Sequence, residues 1–283
     1  MIIDTHTHFY DPARPQGVPW PPKDNALLYR PVFPTHYKDL AESEGVTGTV
    51  VVEASAWFED NQWILDLATE DPFLVGLVGH IDPNQPQFGE QLAQFAAHPL
   101  FLGIRCGGHF FEDVNRGSFL SDLKLLIEHD LQLDVLLRKE NFSGLFKVAE
   151  KLPDLRIVVD HIAHMPIDGE AVPLSWLDFY KRMSRYPNIY LKVSAVLEQS
   201  VIQPAPTDLD YYRPSLDAIW GAFGENRVIY GSNWPVCERA STFVDSLNLM
   251  KTYLSEKGPS AREKYFWQNS KAVYKWVGQH LSA

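Results

Sequence analysis

Two histidines, His6 and His8, stand two residues apart behind a short apolar run in the opening stretch MIIDTHTHFY. Imidazole is the commonest metal-ligating side chain and titrates near neutral pH, so the pair could begin a metal site. It could equally be two polar residues at the edge of a fold. The choice depends on what else converges on them. Glu53 closes the run VVVE, Arg105 closes FLGIR, and His80 and Asp82 follow LVGLV. VVDHIAH carries Asp160, His161 and His164, while Lys192 and Ser194 sit in YLKVS and Ser232 and Asn233 in YGSNW. Each has an ordinary structural reading when taken singly. His80 reads first as a hydrogen-bonded core histidine, and Arg105 as an ion-pair partner of Glu53 or of an acid from a neighbouring strand. Lys192 reads as outward-facing, because Leu191 and Val193 alternate with it. Taken together, three imidazoles, a guanidinium and a carboxylate at the ends of apolar runs are costly to bury without a purpose.

Eight apolar runs rich in Val, Ile and Leu read as buried parallel strands: Ile2–His8, Gly48–Glu53, Leu74–Ile81, Phe101–Cys106, Gln132–Leu137, Arg156–Ile162, Ile189–Ser194 and Arg227–Ser232. Amphipathic stretches such as PTHYKDLAESEG, with Thr35 placed to cap and Gly45 to stop, fall between them. Eight strands each followed by a helix close into a (β/α)8 TIM barrel. The rival is an open doubly wound sheet, which would be supported by a glycine-rich phosphate loop after the first strand. The chain has HTHFYDP there instead. In a barrel the chemistry lies at the C-terminal strand ends, where these polar residues fall. Residues two apart share a face, so His6 and His8 point together, with Asp4 deeper. Phe9 to Pro34 is a long irregular segment with seven prolines, and Trp20 and Tyr29 in it could cover a pocket. A rigid loop packed on the rim is the equal alternative.

The 283 residues fit one domain, 1–283, with no internal repeat or low-complexity tract. A net charge of −11 argues against nucleic-acid binding. Two cysteines, Cys106 and Cys237, make no disulfide framework. No secretory leader pattern is visible, and no apolar run approaches the ~20 residues that span a bilayer. These readings lead to an expectation of a cytoplasmic protein without a membrane partner. A homo-oligomer stays open.

IDTHTHFYDP resembles the first-strand D-x-H-x-H motif of the amidohydrolase superfamily. FLGIRC, LPDLRIVVDHIAHMP and FGENRVIYGSNWPV resemble blocks of its amidohydrolase-2 branch, within which the lactone hydrolases match best. The likeness runs from Ile2 to about Tyr274. It implies a (β/α)8 barrel that opens a small lactone, from a sugar or from aromatic catabolism. It also implies metal or substrate contacts at His6 and His8, an active-site histidine at His161, and an Arg105 that binds a carboxylate or polarises the carbonyl. His161 is the third metal ligand this reading offers. His164, His80 and Trp20 are the further candidates for substrate binding.

Two positions depart from the family pattern. His164 stands where a permanent cation is usual, and Asn233 where most relatives have an aspartate. A neutral amide can hydrogen-bond but cannot take a proton from water. Loss of a general base costs ~10²–10⁴ in rate, so another base, or an ion that activates water, must act. His161 and Glu53 are the candidate bases. One divalent ion, Zn or Mn, is the cofactor expectation, with metal-free catalysis left open. A metal-dependent decarboxylase of a small acid is the alternative enzyme. A small-molecule-binding barrel that has lost its base is the non-enzymatic one.

Overall fold

The computed structural model describes residues 1–278. Eight parallel strands stand in sequence order: β1 (Ile2–Thr7), β2 (Val46–Val52), β3 (Leu74–Gly79), β4 (Phe101–Gly107), β5 (Gln132–Leu136), β6 (Ile157–Val159), β7 (Ile189–Val193) and β8 (Val228–Tyr230). The ring closes just past the last strand, where His8 N donates to Trp234 O (2.9 Å) and Asn233 N to His6 O (2.8 Å). Between and after the strands lie α1 (Pro34–Ala41), α2 (Asp60–Glu70), α3 (Phe88–Ala96), α4 (Phe119–Glu128), α5 (Phe142–Lys151), α6 (Leu174–Met183), α7 (Leu209–Phe223), α8 (Phe243–Ser255), α9 (Pro259–Glu263) and α10 (Asn269–Tyr274). The expected barrel is therefore present. No described helix is long and apolar enough to cross a membrane.

Both faces of each strand are buried, which is why the strands read as continuous apolar runs. Alternate residues divide into two cores. Val51, Leu77, Leu133, Val135, Val159, Leu191 and Val193 pack with helix residues in the outer layer. Ile3, Val50, Val52, Val78, Val158 and Ile229 fill the interior with Val273, Tyr274 and Trp276 of the C-terminal segment. This division corrects the outward reading of Lys192. Its neighbours Leu191 and Val193 face the helices, so Lys192 faces inward and is fully buried.

Of the strands that end earlier than expected, two stop beside residues with positive φ. β6 stops at Val159 because His161, Ile162, Ala163 and His164 all adopt positive φ (53°, 49°, 57° and 58°). β8 stops at Tyr230, and Asn233 follows with φ 64°. Positive φ is unusual for residues with side chains and clusters at functional sites. The cap of α1 also differs: Phe33, not Thr35, occupies the N-cap position, with Pro34 beginning the helix. Gly45 does end the turn that follows, at φ 84°.

Candidate active site

The floor of the site is a buried charge network. Lys192 Nζ lies 2.7 Å from Asp134 Oδ2, 2.9 Å from Asp160 Oδ1 and 3.1 Å from His6 Nδ1. The Tyr274 hydroxyl donates to Asp134 from below (2.9 Å). Burial opposes the charge of Asp160, but Lys192, with His6 and His161, holds its carboxyl well below the usual range. Burial pushes Asp134 up, against the pull of Lys192. Gly231 makes room for this packing: a Cβ there would stand 2.8 Å from His6 Cβ and 3.3 Å from Lys192 Cδ.

Above the floor lie the imidazoles. The ring of His6 is 4.3 Å from that of His161 and 4.9 Å from that of His8, centroid to centroid. Burial, then the Lys192 charge and His161, push His6 well below its usual pKa. Burial does the same to His161, and His8 falls to about 4. All three rings are therefore neutral at pH 7, the state that ligates metals or accepts protons. His161 Nδ1 is paired with the Ser194 hydroxyl (2.8 Å), and His8 Nδ1 donates to Val52 O (2.9 Å). His6 Nδ1 is shared between Lys192 and Asp160 (3.1 and 3.5 Å), which leaves Nε2 buried without a partner.

His6, Asp160 and His161 bring one ligand atom each to within 4.8 Å of one another. Two imidazoles and a carboxylate suit one ion of the zinc type, and the orphaned His6 Nε2 is the atom such an ion would satisfy. The composition differs from the sequence expectation: Asp160 is in the group, and His8 lies beside it, its ring near Asn233 and Trp20.

Arg105 and Glu53 bind each other. Arg105 Nε donates to Glu53 Oε1 (2.8 Å), and a terminal nitrogen reaches both that oxygen (2.7 Å) and Glu53 O (2.9 Å). This is the ion pair that the structural reading anticipated, and it engages Glu53 with a cation. His164 donates from Nδ1 to Leu137 O (3.0 Å), 5.6 Å ring to ring from His161. Burial lowers its pKa, so it brings no charge at pH 7. A cavity of about 380 Å³ opens beside it, with His109, Arg138 and Asn141 in its lining. A larger one, about 580 Å³, lies at the opposite end near Ile2 and Arg262, and no site imidazole lines it.

Trp20 comes from the proline-rich segment. Its ring lies 5.9 Å from His8 and 5.4 Å from Tyr10. Tyr10 pairs with Val32 through two backbone bonds, pinning the segment's ends together. His80 stands apart from the imidazole group: its Nε2 is 3.3 Å from Asp82, and its backbone is held by Asn61. Asp4 is not beneath the histidines. The β1 register breaks between Asp4 and Thr7, and the Asp4 carboxyl accepts from Ser232 N (2.8 Å), His6 N (3.0 Å) and the Tyr37 hydroxyl of α1.

One residue escaped sequence reasoning altogether. Glu198, in the turn Leu197–Gln199 after β7, accepts a hydrogen bond from Asn233 Nδ2 (3.0 Å). An acidic residue in a loop carries no periodic signal that marks it as buried.

The amidohydrolase family profile matches residues 3–276. The chain belongs to the amidohydrolase family. It is similar to an L-fucono-1,5-lactonase of Burkholderia ambifaria, at 30% identity over 96% of this chain and 95% of that one. It is also similar to an L-fucono-1,5-lactonase of Burkholderia multivorans, at 24% identity over 96% and 95%. Among solved structures, an amidohydrolase from Burkholderia multivorans with bound zinc shares the fold (TM-score 0.86, 22% identity, 98% of this chain and 100% of that one).

Proposed function

We propose that this amidohydrolase opens a neutral sugar lactone, of the L-fucono-1,5-lactone kind, by water attack at the C-terminal mouth of the barrel. The observation that carries the substrate class is the Arg105–Glu53 pair. A guanidinium already neutralised by a carboxylate has little charge left for an anionic substrate, but its outer N–H groups can still hydrogen-bond a hydroxyl or a carbonyl. His164 itself is neutral and adds no charge of its own to the site. The two L-fucono-1,5-lactonases that resemble the chain along nearly its full length support the same reading.

His6, Asp160 and His161 would hold the ion, and zinc is the one proposed, as in the Burkholderia multivorans structure. Bound there, it would polarise the lactone carbonyl and ease deprotonation of water. The protein's own groups do the rest. Ligation through Nε2 would require the His6 proton on Nδ1, toward Asp160 at 3.5 Å, with the Lys192 ammonium, now 3.1 Å from that nitrogen, bonding Asp134 and Asp160 alone. Ser194 fixes the His161 ring. Trp20 covers His8 and shields the mouth from bulk water. The cytoplasm is the proposed location.

The test is acid release from a panel of neutral aldonolactones and pyrone dicarboxylates, against a His161→Ala control. Neutral lactones should be opened fastest. Faster opening of the dicarboxylates, or no lactone opened faster than by the control, overturns the proposal.

A further inference from the structure

Asn233 follows β8 at the barrel mouth with φ 64°, and its amide is held by a carboxylate from the neighbouring loop. Nδ2 donates to Glu198 Oε1 (3.0 Å), and the side chain also lies against His8, favouring that ring's protonated form. Glu198 therefore sits one hydrogen bond behind the strand-eight position, on the loop that leaves β7. Its other oxygen, Oε2, is buried and has no partner. A buried carboxylate normally fills its acceptor sites. Here one acceptor oxygen, behind Asn233, is filled by no group of the protein.

The amide and the carboxyl explain each other. An aspartate at 233 would set two carboxylates side by side in a buried site, where both cannot ionise without penalty. The amide removes that conflict and steadies the glutamate. We infer that Glu198 is the proton-exchanging carboxyl of the reaction, with Asn233 as the positioning residue that lets it occupy the site. The inference rests on the lactone-opening reading. As the water oxygen bonds to the lactone carbonyl carbon, its proton passes to Glu198. When the ring C–O bond breaks, the leaving oxygen receives that proton. The products are the open hydroxy acid and an unchanged carboxylate.

The electrostatic setting suits this role. Burial raises Glu198 to about 7, against the Asn233 hydrogen bond and the more distant Arg239. The other groups that face it, Tyr212, Tyr230 and Cys237, are pushed upward by burial and stay neutral. A carboxyl titrating near the working pH is the efficient choice for moving protons.

Glu198→Gln keeps an oxygen for Asn233 but cannot exchange a proton. It should lower kcat by ~10²–10⁴ with little change in KM, and erase the acid limb of the kcat/KM profile. Glu198→Asp should recover part of the rate. Asn233→Asp should move the acid limb to higher pH, because a like charge raises its neighbour. Infrared difference titration gives a reading independent of turnover: the protonated carboxyl signal that fades near pH 7 should lose one component in Glu198→Gln, while the component of the buried Asp134 stays. The inference falls if Glu198→Gln keeps the wild-type rate and acid limb, or if the signal loses no component in that variant. If the wild type opens lactones and the variant matches it, the functional reading stands without this inference. If the wild type opens none, the functional reading fails and takes the inference with it.

Discussion

Lys192 Nζ lies 3.1 Å from His6 Nδ1, so the imidazole that opens the chain's first motif rests on an ammonium buried under the barrel mouth. The same ammonium separates Asp134 from Asp160. Replacing Lys192 with Met leaves two carboxylates buried without their cation. Removing one partner of a buried pair costs about 3–5 kcal/mol. Lys192→Met should therefore lose stability on that order in urea unfolding at pH 7. A change below about 1 kcal/mol would show that the network contributes little.

The neutral histidines make stability fall in acid. His8 titrates near 4 in the fold and near 6.5 when unfolded. Between those values the unfolded chain binds the extra proton, so stability drops as pH falls from about 6.5 and the loss levels off below about 4. The gap corresponds to about 3 kcal/mol. Glu198 and Asp134, raised by burial, act in the opposite direction over much of that range. The contribution of His8 must therefore be read as a difference. Unfolding of His8→Gln across pH 4–7 should show a shallower acid slope than wild type, and identical slopes would refute the assignment.

Ser194 fixes the ring of His161 through Nδ1. Losing the group that orients a ligating histidine typically costs 10–100-fold in metal affinity or activity. Ser194→Ala should weaken zinc binding by a factor in that range, measured by competition with a chromophoric chelator. Unchanged zinc affinity would remove His161 from the ion's ligands.

Glu53 decides how much charge Arg105 shows. Glu53→Gln removes the neutralising partner, so the variant should gain on carboxylated lactones, chiefly through a lower KM, and lose on neutral ones. A ratio of kcat/KM for the two substrate types that stays at the wild-type value would contradict the proposed substrate class.

The barrel was legible because its eight strands are short apolar runs, and strand ends are where polar residues in such runs matter. His6, His161 and Arg105 could be placed on that ground alone. The errors share a cause. Alternation identifies an inward residue only where the other face is wet, and here helices cover it; Lys192 was therefore read the wrong way. Parity also assumes an unbroken strand, which fails for Asp4 at the register break in β1. The positive-φ run from His161 to His164 has no residue-type signature, since Ile162 and Ala163 rarely adopt it. Glu198 became visible only when its loop was folded against Asn233.

The proline-rich segment leaves β1 and returns to it through the Tyr10–Val32 pairing, with the Tyr10 hydroxyl also holding Leu28. Its two ends thus meet on the barrel rim, while Trp20 reaches toward His8. A stretch anchored this way can be lengthened, shortened or exchanged without moving a strand. Changes to this one excursion of the chain would alter what covers His8 while leaving the strand ends beneath it as they are.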